Sequence, residues 1–170
     1  MGNDTMMYQR GQIMRKFWIF VFSIIISFIP GIIGVFFTPH GASHVWYNAL
    51  SKSVITPAGW VFSVAWTILY ILLGIALYLI ITNDNRRINK SNAYWLFFWQ
   101  MVLNALWSVV FFGLHMPALA LLILAFLIVV SIYMMRAFRL ISTPAYYLVW
   151  PYIIWMCFAI YLNATIMILN

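Results

Sequence analysis

Charge is what this sequence has least of. Asp, Glu, Lys and Arg make up 6% of its 170 residues, where a soluble domain carries about 25%. Asp4 and Asp84 are the only acidic residues, glutamate being absent, so no carboxylate pair for general acid–base work is visible. There is no Gly-rich phosphate loop and no Ser/His/Asp arrangement, and conventional hydrolytic or phosphoryl chemistry has no recognisable machinery. Cys157 is the single cysteine, which excludes an intrachain disulfide and any multi-cysteine metal site and leaves the redox compartment open. Of the three histidines, His40 and His44 are spaced i, i+4 and could ligate if that segment were helical. With His115 far off and no carboxylate near, no metal site is assigned. Internal repeats and low-complexity tracts are absent too.

What the chain has in excess is apolar side chain: 66% of residues and a mean hydropathy of +1.01. That is more than one globular interior of this size could hide, so lipid must take the remainder. The expected fold is an all-α integral membrane protein, a five-transmembrane-helix bundle. A short N-terminal segment, 1–16, precedes a membrane domain, 17–170, whose spans cover about 17–37, 60–82, 94–114, 118–135 and 144–169. Each matches the roughly 20 residues needed to cross about 30 Å of hydrocarbon. A cleaved signal peptide shares the plan of the first run, a basic flank before an apolar stretch, but this stretch exceeds the usual 7 to 15 or so residues and is read as a retained helix. The long connection from Thr38 to Gly59 is too polar to span and too aromatic for a bare linker. Trp46 and Tyr47 in it fit the aromatic belt at headgroup level, and Thr56-Pro57 reads as the start of the next helix.

The net charge of +7 raises the question of nucleic acid, which the placement of the charges answers. The nine basic residues lie in short clusters between apolar runs, where topology determinants and anionic-lipid contacts sit, and no basic face interleaves with exposed stacking aromatics. No nucleic-acid partner is expected. Five spans put Arg10, Arg15, Lys16, Arg86, Arg87, Lys90, Arg136 and Arg139 on one side and Lys52 alone on the other. The positive-inside rule then makes the chain N-inside and C-outside, with residues 1–16 cytoplasmic.

No ionisable side chain falls within the hydrocarbon zone, which argues against an ion-coupled pump. The polar groups there are amides and hydroxyls. Gln100, Asn104 and Ser108 recur every fourth residue on the third span and, with Trp107, occupy about a third of its circumference. Trp155, Ala159 and Asn163 repeat the spacing on the fifth span, and Trp66, Tyr70 and Gly74 on the second. Two readings stay open. Such residues bond and pack helix against helix, or they line a pocket between helices for a flat lipophilic ligand. Val130, Tyr133 and Arg136 also satisfy a loose cholesterol-contact pattern that ordinary interface anchoring explains as well. Gly31-x-x-Gly34 is a candidate for close packing, including between copies.

Four blocks of the sequence resemble the translocator protein family, also known as tryptophan-rich sensory proteins or peripheral-type benzodiazepine receptors. They are Trp46-Tyr47-Asn48-Ala49-Leu50-Ser51-Lys52; Pro57 with Trp60 through Tyr70, Gly74 and Tyr78; Gln100 through Ser108 with Phe111-Phe112; and Pro151 through Ala159 leading to Leu162-Asn163. The resemblance implies a five-helix bundle, often a homodimer, in a bacterial cytoplasmic membrane. Its pocket, beneath the first loop, would bind protoporphyrin IX-like tetrapyrroles as ligand, with no covalently bound cofactor. By that likeness Trp66 and Trp155 face the porphyrin, Tyr70, Gln100, Asn104, Trp107, Ala159 and Asn163 belong to the same ligand-binding set, and Trp46 closes it. A receptor or sensor is the function implied. The alternatives are a light- and oxygen-dependent porphyrin-degrading enzyme, in which Trp66 and Trp155 would be catalytic, and a facilitative transporter. The loop departs from the family's Lys-Pro-x-Trp-x-Pro-Pro, having Ser53, Ile55 and Ala58 where a proline, the tryptophan and a proline are usual, which implies a looser lid. The chain also lacks the basic, tyrosine-containing tail associated with cholesterol in animal members.

The topology is testable directly: single cysteines replacing Asn3 and Asn170 in a Cys157→Ser background should react with an impermeant maleimide from opposite faces of sealed vesicles. Labelling from one and the same face would refute five spans.

Overall fold

The computed structural model describes residues 2–38, 45–85 and 88–170, with side chains from residue 6. The elements are α1 (Gly2–Phe37), the short α2 (Val45–Ala49), α3 (Gly59–Thr82), α4 (Ser91–Ser108) continued by a π-helical turn (Val109–Gly113), α5 (Pro117–Ile141) and α6 (Thr143–Leu169). Five of these helices are long and apolar enough to cross a membrane, so the all-helical five-span architecture stands, and the protein is integral to a lipid bilayer. His40, His44, Arg86 and Arg87 lie outside the described residues.

α3, α4 with its π-helical turn, and α6 lie over the expected spans 60–82, 94–114 and 144–169, while α1 and α5 run beyond the spans 17–37 and 118–135. α1 runs without a break through the boundary expected at residue 17. Its 36 residues extend about 54 Å at 1.5 Å per residue, so its first turns reach beyond the hydrocarbon. α5 continues past Met135 to Ile141. Arg136 and Arg139 lie exposed on it, and Arg139 in the last turn favours the negative end of the helix dipole. Its guanidinium also covers the Tyr146 ring at 5.4 Å. Lys90 plays a similar role for α3, its ammonium donating to the Ile81 and Asn83 carbonyls.

The five long helices close a ring in the order α1, α3, α6, α5, α4 and back to α1. α1 is therefore wedged between two helices that follow one another in sequence, α3 and α4. Small residues make the wedge tight. A Cβ on Gly74 would lie 2.7 Å from Ile24 Cδ1 and 2.8 Å from Ser27 Oγ, one on Gly31 would lie 2.6 Å from the Tyr70 ring, and one on Gly34 would lie 3.2 Å from Ser108 Oγ. The Gly31-x-x-Gly34 pair is thus used inside the chain, which removes it as a face for pairing of copies. The Ser27 hydroxyl, shared between the Ile24 carbonyl at 2.7 Å and the Tyr70 carbonyl at 2.8 Å, crosses the same contact. It lies one turn before Pro30, whose ring removes a backbone donor from α1.

Leu73, Ile80, Leu124, Leu127, Met134, Phe138, Val149 and Met156 fill the interior. The ring's outside carries Trp18, Phe22, Trp60, Trp95, Phe126 and Ile154, each more than half exposed, as lipid rather than water permits.

The α1–α3 contact gives a stability test. Gly74→Val overpacks a site with no slack and should lower stability by about 1–3 kcal/mol, read as a drop in midpoint on heating in detergent. Gly11→Ala, where an added Cβ meets nothing within 4 Å, is the matched control, and an equal midpoint for both variants would contradict the packing.

Candidate ligand-binding site

Long side chains from three helices meet in the middle of the ring. Asn104 on α4 is the hub: its Nδ2 donates to Tyr152 Oη on α6 at 2.9 Å, and its Oδ1 accepts from Tyr70 Oη on α3 at 3.4 Å. One turn earlier Gln100 is completely buried. Its side chain faces the Tyr152 hydroxyl, yet neither its Nε2 nor its Oε1 has a hydrogen-bond partner. Trp107 Nε1, also buried, has none either. Around these amides the rings are continuous: Trp66 stacks on Tyr70 at 5.4 Å, faces Trp107 at 6.4 Å and meets Tyr152 edge-on at 6.3 Å.

Trp66, Tyr70, Gln100, Asn104 and Trp107 are therefore brought together. Trp155 packs against the same core, its ring against Phe62 at 5.9 Å and Phe158 at 5.6 Å. Ala159 packs half-buried against the same core. Asn163 is used elsewhere: with its amide oriented to satisfy both atoms, it donates to the Pro117 carbonyl at 3.2 Å and accepts from the Leu121 N–H at 3.0 Å, joining α6 to the first turn of α5.

Trp46 closes one end. The π-helical turn adds a residue to the normal helical repeat and changes which side chains face inward. Here it sets neighbouring Phe111 and Phe112 against α2. Trp46 contacts Phe111 at 5.8 Å and stacks on His115 at 4.2 Å, while Tyr47 contacts Phe112 at 5.6 Å. Phe111 in turn stacks on Trp107 at 5.5 Å, so lid and centre share rings. His115, in the left-handed region at φ 57°, turns the chain into Pro117 at the start of α5. Burial pushes the Tyr47 hydroxyl above its ordinary range, so this ring is neutral at any physiological pH, and Lys52 Nζ lies over it at 4.4 Å.

The loop that lacks the usual tryptophan and prolines is fastened by polar contacts instead. Ser53 makes its own turn, its carbonyl accepting from Thr56 N–H at 2.9 Å, and its hydroxyl pairs with Tyr161 Oη at 2.9 Å. Ser51 and Asn170 bond reciprocally, Ser51 N–H to Asn170 Oδ1 at 2.9 Å and Asn170 Nδ2 to the Ser51 carbonyl at 3.1 Å.

Tyr152, Phe111, Tyr161 and Asn170 are not among the ligand-binding residues expected from the sequence. Tyr152 had a usable signal, since it lies three before Trp155 and seven before Ala159 and so shares their face. The tethers had none, because Ser51 and Asn170 are 119 residues apart.

Since a neutral hydrogen bond contributes about 1 kcal/mol, Asn170→Ala should speed hydrogen exchange of the Ser51 amide about fivefold or more while leaving the α3 amides unchanged. Unaltered exchange at Ser51 would show that the tether does not hold the loop.

Comparison with known proteins agrees with this architecture. Residues 22–169 match the TspO/MBR family. The chain is 39% identical over 151 residues to the tryptophan-rich protein TspO of Archaeoglobus fulgidus, covering 88% of this chain and 95% of that one. It is 33% identical to protein CrtK of Rhodobacter capsulatus, covering 82% and 85% of the two chains, and 30% identical to the translocator protein of Ovis aries, covering 72% and 73%. With one match spanning nearly the whole membrane domain and relatives aligned across most of their own length, this five-span chain belongs to the TspO/MBR family.

Proposed function

We propose that the protein is a membrane receptor or sensor that binds tetrapyrroles of the protoporphyrin IX type, and other flat lipophilic molecules, inside the helix ring. The observation that carries this reading is the set of three buried polar atoms without partners, Gln100 Nε2, Gln100 Oε1 and Trp107 Nε1, next to stacked indole and phenol rings. An unpaired buried donor or acceptor costs about 1–3 kcal/mol, and a cost that folding does not recover within the chain is recoverable from a ligand. A tetrapyrrole offers ring nitrogens that accept, pyrrole N–H groups that donate and a flat π surface. The amide and indole edges of Gln100 and Trp107 and the ring faces of Trp66 and Tyr70 are complementary to those features. Because the rings already touch, binding exchanges ring-on-ring contacts for ring-on-macrocycle contacts of the same kind. The reading carries with it a homodimer in a bacterial cytoplasmic membrane, the assembly and location that the family resemblance implies.

Titration of protoporphyrin IX against the purified protein, followed by tryptophan quenching, should saturate. Gln100→Leu should weaken binding while leaving the ligand-free protein equally or more heat-stable, because the substitution removes two unsatisfied atoms from the interior. Trp66→Phe and Trp107→Phe should weaken it too. A non-saturating signal with all four proteins would refute the proposal.

A further inference from the structure

Lys52 is the only Lys, Arg, Asp or Glu anywhere between residues 17 and 83, and none occurs from Ser91 to Met135 or after Arg139. The lid end of the bundle therefore has one ammonium and no acidic side chain to answer it, Asp4 and Asp84 belonging to segments at the opposite end. Lys52 is also half-buried, and its sole interaction among the described residues is with the face of the Tyr47 ring at 4.4 Å. A partly desolvated cation held against a ring face, with no acidic side chain paired to it among the described residues, is a site for an anion brought from outside.

Its position says what kind of anion. Tyr47 touches Phe112 at 5.6 Å, Phe112 touches Trp107 at 5.9 Å, and Trp107 faces Trp66 at 6.4 Å. Two ring-to-ring steps thus lead from the ring under the ammonium to the indole whose N–H has no partner. The deep end offers only neutral donors and acceptors, where a carboxylate would remain uncompensated. The lid end offers the charge.

We propose that Lys52 is the carboxylate anchor of the site, selecting flat apolar ligands that carry an acidic group and orienting them with that group under the lid and the uncharged body of the macrocycle towards Gln100 and Trp107. The inference rests on the tetrapyrrole reading and adds to it a direction and a preference: the free acid over the neutral ester.

The comparison that tests it uses the full chain in nanodiscs of phosphatidylcholine alone, so that no anionic lipid competes with the ligand. Protoporphyrin IX and its dimethyl ester are titrated against the unaltered protein, Lys52→Met and Lys52→Arg. The expected pattern is a preference for the diacid of about tenfold, typical of one partly buried charge pair. Lys52→Met should abolish that preference by weakening the diacid only, and Lys52→Arg should restore it. Equal losses for both ligands in Lys52→Met would mean that Lys52 acts through the folding of the lid, and no loss for either would mean that it touches nothing in the complex; either result overturns the anchor while the tetrapyrrole reading survives. Binding of neither ligand by the unaltered protein overturns both.

Discussion

Hydrocarbon offers a buried amide no partner, and that constraint orders the whole bundle. Asn104 meets it by bonding a tyrosine on each of two other helices, so a single side chain ties α3, α4 and α6 about the centre of the ring. Asn163 meets it at the backbone of α5, and Ser27 at the backbone of α3. Gln100 does not meet it. Against three polar groups that solve the same problem, a glutamine left with both atoms unpaired is the informative exception.

The aromatic residues act as the second organising set. They fill the centre, continue through the π-helical turn and end at the lid, so that Trp66, Trp107, Phe111 and Trp46 form one line of contacts from the interior to the end of the bundle. Their faces pack on one another at centroid distances of 5.5 to 6.4 Å along this line, so the cluster is at once the packing of the centre and its link to the lid. The lid is attached to this line from below by rings and from the side by hydroxyl and amide contacts to α6.

Much of this was legible in the sequence, for reasons that differ from feature to feature. Spans are a property of local composition, so α3, α4 and α6 could be delimited within a few residues. The start of α1 could not, because Arg15 and Lys16 mark where a helix leaves the hydrocarbon and not where its hydrogen bonding begins. Helical spacing put Trp66 and Tyr70 on one face of the second span and Gln100, Asn104 and Trp107 on one face of the third, and the family resemblance implied that these faces meet. Asn163 satisfied the same spacing on a third yet bonds to the backbone of α5, since spacing fixes a face of a helix but not which neighbour the face meets. That neighbour is set by the ring order, in which α6 lies between α3 and α5. The polar fastening of the loop joins residues too distant in the chain to leave any local mark.

The ring order also bears on how the molecule is built. The chain emerges from the ribosome N-terminus first, and its first three spans already contain a complete packing unit, with α1 between α3 and α4 and its glycines seated on both. α5 adds to α4, and the circle stays open on one side until α6 arrives to touch α3 and α5 together. Asn104 gains its Tyr152 contact only at that last step. The final helix therefore both closes the ring and supplies the group that satisfies its hub, so a nascent protein truncated before α6 would leave the Asn104 amide without its Tyr152 partner.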